Sequence, residues 1–308
     1  MTNSKLKSKA ELERDEIRKQ KRDNYIFGSE EVFEYGKIRF LTFEEYNLMG
    51  NILGVFGLNT LHIYYQYRKG FEKNGKIEED AEEFLEQIKK FSIFTLVNSD
   101  IGIDLKMAYY QVFDKVLIFD EDDMKAYDSA HVKLFGIEAE YDDNNEYIPM
   151  VDENGDVIPK PELKQMVMML IFEDEELFMD LREKVMDMNV IKEERVSINP
   201  EINAGLERSR KYRKAKNKGD QTSADIVTSI VASTGDSFEK VRNMNVHQVY
   251  GIYQRIAQIK NYEASVLYST VAPDVKIEAW DKHIDLFKDE TTEVSKDKFM
   301  ETTGGLFR

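Results

Sequence analysis

The chain contains no cysteine. That excludes disulfides, thiolate metal sites and cysteine nucleophiles, and it suits an intracellular protein. Five prolines in 308 residues leave long stretches free to run as uninterrupted helix. No apolar run approaches the roughly 20 residues that a membrane-spanning helix requires. The N-terminal stretch also lacks the hydrophobic segment of a secretory signal. Histidine occurs four times and tryptophan once. His62, His131, His247 and His283 are isolated, without the i, i+4 pairing of a helical zinc site. They are expected on the surface or on helix flanks, with no metal role. A Gly-x-Ser-x-Gly elbow, a phosphate-binding Gly-Lys-Ser/Thr loop and a dinucleotide-binding Gly-x-Gly-x-x-Gly are all absent. Basic charge is also scarce, with 43 Lys and Arg against 59 Asp and Glu and a net charge of −16. A surface suited to general nucleic-acid or anionic-membrane binding is therefore not expected.

The chain does have the material for a core, with 42% hydrophobic and 11% aromatic residues. Residues 1–24 mix charges of both signs and read as a solvated helix or an arm that orders on a partner. Lys37 to Leu41 fits a short strand. Thr42 with Glu45 forms a capping box that opens a helix, and Gly50, Gly54 and Gly57 predict a break after it. Apolar spacing then predicts helices over about 58–70, 78–91, 103–118, 122–134, 163–171 and 174–188. Between two of these, Asn154-Gly155 separates short apolar runs and predicts a β-hairpin flap near 146–160. Pro149, Pro159 and Pro161 keep its strands short.

Seven basic residues fall between Arg208 and Lys218, and they mark residues 201–221 as a basic linker that lets the C-terminal part move. Arg208, Arg210, Lys211, Arg213 and Lys214 are the weak candidates for nucleic-acid contact, with Tyr212 able to stack on a base. Beyond the linker, Thr222 with Asp225 and Asn245 with Gln248 predict two capped helices. Gly235 is placed to end the first of these, and Asp236 or Ser237 to cap the next. In the last helix Ile252 and Ile259 lie off the line of Val249, Tyr253 and Ile256, which predicts a helix central in a bundle or docked on a partner. At Ala272–Phe287, Pro273 and Asp274 suit a helix start, and Ile277, Trp280, Ile284 and Phe287 fall on one helical face. The stretch is therefore expected to be a docking helix.

Three acidic clusters, Asp120–Asp123, Asp142-Asp143 and Asp152–Asp156, offer the hard oxygen ligands that calcium prefers. The loop from Asp152 has Val157 where an EF-hand needs glycine and Leu163 where it needs glutamate. A solvated acidic surface and a hairpin turn explain these residues better. Thirteen methionines, several between Met166 and Met188, add adaptable apolar surface suited to a core or a binding groove.

The segments ADIVTSIVASTG and VHQVYGIYQRIAQIKNYEASVLYSTVAPDVKIEAWDKHIDLF, with KIRFLTFEEYNLMGN and LHIYYQYRKG nearer the start, resemble a known family. It comprises tail-morphogenesis proteins of long-tailed bacteriophages of Gram-positive hosts, described as tail assembly chaperones or tail and baseplate components. The resemblance covers about residues 36–70 and 196–287 and carries no catalytic signature. It implies a non-enzymatic protein without a cofactor that binds other tail proteins, namely the tape-measure or tail-tube protein, with self-association open and no membrane partner. The host cytoplasm during assembly is the implied location, with the virion tail as the alternative. Tyr250, Tyr253, Ile256, Trp280, Ile284 and Phe287 are the residues expected to meet the partner or pack the core. A structural tail or baseplate component and a DNA-binding regulator are the competing functions. The expected fold is mainly α. It consists of an arm at 1–24, a helical bundle domain at 25–200 with a small β-hairpin insertion, the basic linker at 201–221, a smaller C-terminal helical unit at 222–288 and a polar tail at 289–308.

Overall fold

The computed structural model of the chain describes residues 9–72, 77, 79–144, 146–151, 157–193, 196–197, 199, 202–203, 205–208, 222–272, 277 and 279–287, with the backbone alone at 9–15. The fold is mainly α. Helix α1 (Lys9–Asn24) runs into a short 3₁₀ turn at Tyr25–Phe27, which Gly28 ends at φ 75°. A small antiparallel sheet follows, with β1 (Glu31–Phe33), β2 (Gly36–Ile38) and the later β3 (Leu117–Ile118) in the order β1-β2-β3. Its register pairs Val32 with Lys37 and Lys37 with Ile118. Gly36 is required there, because a Cβ would overlap the carbonyl of Ile118.

The Thr42–Glu45 capping box forms and opens α2 (Phe43–Leu48). Glu45 also takes two hydrogen bonds from Arg39, at 2.8 and 3.0 Å. The glycine-rich stretch breaks as its sequence predicts, into α3 (Gly50–Leu53) and a 3₁₀ turn at Gly54–Gly57. Next come α4 (Thr60–Phe71), α5 (Glu79–Lys90), α6 (Ile93–Val97), α7 (Ile103–Val116) and α8 (Met124–Phe135). The flap is present as β4 (Met150–Val151) paired with β5 (Val157–Ile158). Its Asn154-Gly155 turn, and with it the Asp152–Asp156 cluster, lies outside the described residues. Helices α9 (Leu163–Ile171) and α10 (Glu175–Met188) complete the larger body.

The core of this body is aromatic. Phe56, Tyr109, Phe113 and Phe178 are fully buried, with ring centroids 4.3 Å apart for Phe56–Tyr109 and 4.9 Å for Tyr109–Phe178. Pairs of this geometry add about 0.5–1.5 kcal/mol beyond the area they bury. Arg182 enters beneath them. It donates to the Tyr109 hydroxyl (3.1 Å), to the carbonyls of Phe56 (2.7 Å) and Leu58 (3.1 Å), and to Glu193 (2.8 Å), so its buried charge is paired and hydrogen-bonded. Most of the methionine-rich segment is core, since Met166, Met168, Met186 and Met188 are buried.

The C-terminal helices are α11 (Ser223–Thr234), α12 (Phe238–Arg242) and α13 (Val246–Ser269). Both predicted capping boxes form, Gly235 ends α11 at φ 76°, and Ser237 caps α12. These helices have their own small core of Ile226, Ile230, Val241, Val246 and Val249, completed by Phe43 from the larger body. Specific hydrogen bonds link this unit to the larger body. The Phe43 amide donates to the Met244 carbonyl at 2.7 Å, Thr42 and Asn245 form a β-bridge, and the Asn245 amide side chain donates to the Tyr25 carbonyl at 3.0 Å. Residues 209–221 of the linker lie outside the described residues.

Candidate partner-binding site

The N-terminal arm is a helix seated on its own chain. Arg18 and Arg22, one turn apart, share the carboxylate of Asp187 near the end of α10. Arg18 donates to it at 2.5 and 2.7 Å, and Arg22 at 3.1 and 2.6 Å. The Asp187 side chain is 7% exposed. A carboxylate so deeply placed is stable only with such charge-assisted donors around it. Arg18 also pairs with Glu183.

The same turn of α10 carries the one strained non-glycine backbone among the described residues, Val190 at φ 54°. The Ile191 amide reaches back to the Met186 carbonyl (2.8 Å) and the Val190 amide to that of Asp187 (3.4 Å), which is a Schellman helix end with valine where glycine is usual. Val190 tolerates the strain because its side chain packs against the small core, while Ile191 packs against the large one. The carbonyl of Asp187 accepts a 2.8 Å hydrogen bond from His247 Nε2 on α13. A carbonyl can only accept, so the imidazole carries its proton on Nε2. Burial pushes the His247 pKa below the ordinary histidine value, and the bond to Asp187 opposes this in part.

Two of the histidine expectations are thereby corrected. His247 is buried, and so is His131, which donates from Nδ1 to the Ile137 carbonyl at 2.9 Å and accepts from the Tyr147 hydroxyl at 3.3 Å. Sequence spacing detects metal pairs, but it does not detect a histidine whose partners are a distant carbonyl and a tyrosine. The two acidic clusters within the described residues fold their own chain. Asp123 caps α8 by accepting from the amides of Lys125 and Ala126, and Glu121 accepts from the amides of Leu163 and Lys164 at the start of α9. Asp142 folds its own loop by accepting from Asn144 and Glu146. Among the described residues there is no group of three His, Asp or Glu placed to hold a metal ion.

Between α1 and α13 lies a cavity of about 900 Å³. Its α1 wall is Arg18, Lys19, Arg22 and Asp23, and its α13 wall is His247, Gly251, Ile252, Arg255 and Ile256. Each set falls on one helical face by its i, i+4 spacing. The third wall is a strap, residues 283–287. Here the structure overturns the docking helix. Among the described residues of 277–287 no helix forms. Arg255 Nη1 donates instead to the carbonyls of Trp280 (2.6 Å) and Lys282 (3.1 Å), the groups a helix would have turned inward on itself. Asp285 accepts from the Phe287 amide at 2.9 Å in a local turn that competes with helix. Phe287 lies under the Arg22 guanidinium, 3.6 Å from ring centroid to Cζ, and its ring is 6.1 Å from that of His247. His283 Nε2 lies 3.6 Å from Asp23.

The six residues predicted to meet a partner divide accordingly. Ile256, Ile284 and Phe287 line the cavity. Tyr250 and Tyr253 pack on the other side of α13 against the small core, where Tyr250 meets Phe43 edge-on at 5.9 Å. Trp280 is 46% exposed at the rim, held through its carbonyl. Four cations and two carboxylates line the cavity, in a chain of net charge −16. Across Arg18 and Arg22 a depression of about 1140 Å³ is lined by the carboxylates of Glu175, Glu176, Asp180, Glu183 and Glu193 and by the cations of Arg18, Arg22, Arg182 and Lys192. A separate apolar ridge, Ile103, Met107 and Tyr110 of α7, is exposed elsewhere on the larger body. Of the nucleic-acid candidates, Arg208 is exposed, while Arg210, Lys211, Arg213 and Lys214 lie outside the described residues. No helix among the described residues is long and apolar enough to cross a membrane.

The family model of the YomV N-terminal domain matches residues 19–130, from the second half of α1 into α8. The chain is 24% identical over 274 residues to the SPbeta prophage-derived uncharacterized protein YomV of Bacillus subtilis (strain 168), covering 89% of this chain and 93% of that protein. No solved structure matches the chain. The two matches mark the chain as phage-related.

Proposed function

We propose that this phage-related chain is a non-enzymatic tail assembly protein, a chaperone that holds the tape-measure or tail-tube protein during tail morphogenesis in the host cytoplasm. The observation that supports this most is the cavity. It is open, walled by Ile252, Ile256, Ile284 and Phe287, and fixed between two helices by the Asp187 clamp. A preformed apolar concavity with a polar rim is the usual form of a site that shields an apolar stripe of a helical partner. The acidic surface elsewhere would keep a loaded complex from associating with its copies.

The test is co-expression with the neighbouring tail proteins and pull-down on this chain. Retention of tape-measure or tube protein is the expected outcome, and loss of both removes the reading. Mass spectrometry of purified virions then separates chaperone from structural component. A chaperone is absent from finished particles, whereas a stoichiometric band assigns the chain to the tail or baseplate.

A further inference from the structure

Arg255 has unusual company for a guanidinium lining a cavity. Its hydrogen-bond partners among the described residues are neutral oxygens, namely Gln258 Oε1 at 2.8 Å and the carbonyls of Trp280 and Lys282. All three are reached through Nη1, so the fork that would hold a carboxylate by two parallel bonds is not committed to one. The other two cavity arginines differ, because Arg18 and Arg22 are both spent on Asp187.

The chain itself shows what kind of segment the cavity receives. The strap that forms its third wall reads Ile284-Asp285-Leu286-Phe287, large apolar residues around one carboxylate. Its backbone approach is fixed by Arg255, and its aromatic end lies between Arg22 and His247. The remaining volume, about 900 Å³, is enough for one and a half to two turns of helix about 10–12 Å across.

We propose that the cavity is the docking site for an acidic, amphipathic peptide segment of the partner, with Arg255 binding the segment's carboxylate and Ile252, Ile256 and Phe287 covering its apolar face. This rests on the partner-binding reading above and gives it a chemistry.

The probe is a fluorescein-labelled peptide of the sequence Ile-Asp-Leu-Phe-Ile-Asp-Leu-Phe, titrated with the full chain and followed by anisotropy. Its counterpart has both aspartates replaced by asparagine, and this comparison needs no altered protein. Losing one charged hydrogen-bonded contact is expected to weaken binding about tenfold or more. Arg255→Gln is expected to bring the acidic peptide down to the level of the asparagine peptide. Arg255→Lys keeps the charge without the fork and falls between. Circular dichroism checks that both variants are folded.

Equal binding of the two peptides, or no binding of either, overturns the proposal. So does full displacement of the peptide by decanoate, which would assign the cavity to a fatty-acid-like molecule, or a dimer that the peptide dissociates, which would assign it to a second copy. The pull-down separates this result from the fate of the function. Tail proteins retained while the peptide fails to bind removes only the docking chemistry. A peptide that binds while neither tail protein is retained removes the chaperone reading.

Discussion

The larger body and the C-terminal unit bury their apolar residues in different ways. In the larger body the core is closed by rings, with Phe56, Tyr109, Phe113 and Phe178 fully buried and in mutual contact. In the C-terminal unit five aliphatic residues and a borrowed Phe43 make up the buried set. The docking of that unit is completed by polar bonds, from Asn245 to Tyr25 and from His247 to Asp187. A core closed by rings depends on volume and shape and is indifferent to pH. A unit docked through an imidazole depends on protonation as well. The cavity sits on the second kind of seam, so the surface proposed for capture belongs to the less autonomous part of the molecule.

The comparison is tested most severely by Phe113→Ala. Emptying that ring site is expected to cost about 3–5 kcal/mol, measured by urea denaturation, with hydrogen-exchange protection falling in both bodies. Protection that persists in α11–α13 would show that the small core stands without the large one.

Asp187→Asn comes second. Buried ion pairs lose about 3–5 kcal/mol when one partner is removed. With Arg18 and Arg22 side chains 36% and 23% exposed, solvent screening brings the expectation to about 2–3 kcal/mol. Exchange at the α1 amides should accelerate far more than exchange in α7. Uniform acceleration would mean that the clamp supports the whole fold rather than the arm.

The third test is pH. Unfolded His247 binds its proton near the ordinary histidine value of about 6.5, and the folded form binds it lower because burial disfavours the charge. Between the two values the unfolded state holds more protons, so stability falls as pH falls through that window. Glu45 acts further down. Hydrogen bonds from Arg39, and then the Thr42 amide and Lys115, hold it at about 2 against the effect of burial. Its contribution is complete above the unfolded glutamate value of about 4.3 and is lost as pH drops toward 2. The thermal midpoint should therefore decline in two stages, and His247→Gln should flatten the first alone. A first stage unchanged in that variant would remove the assignment.

The smallest effect is expected at Val190→Gly. Relief of a left-handed β-branched residue returns about 1–2 kcal/mol, and the lost packing and greater chain entropy offset about as much. A net change within about 1 kcal/mol is expected by urea denaturation. A larger loss would mean that the valine side chain is a main support of the small core.

What the sequence made legible was local. The three capping boxes at Thr42, Thr222 and Asn245, the break at Gly50–Gly57 and the stop at Gly235 all stand where their own neighbours place them. In each case the chemistry is complete within four residues. The site was not legible in this way. Arg18 meets Asp187 across 169 positions and His247 meets it across 60, and no periodicity encodes such a meeting. The strap failed for the same reason, because Ile277, Trp280, Ile284 and Phe287 have helical spacing but Arg255, 25 positions from Trp280, takes the carbonyls. Apolar spacing did reach part of the site, since Ile256, Ile284 and Phe287 line the cavity. Ile252, off the line of Val249 and Tyr253, lines it as well.

Trp280 is the chain's one indole, and it stands on the strap with its carbonyl in the hand of Arg255. Excited selectively, it is a spectroscopic label already in place at the rim of the cavity. Its emission is expected to respond when the strap moves. The arrival of an occupant can thus be followed by native fluorescence, without attaching anything to the protein.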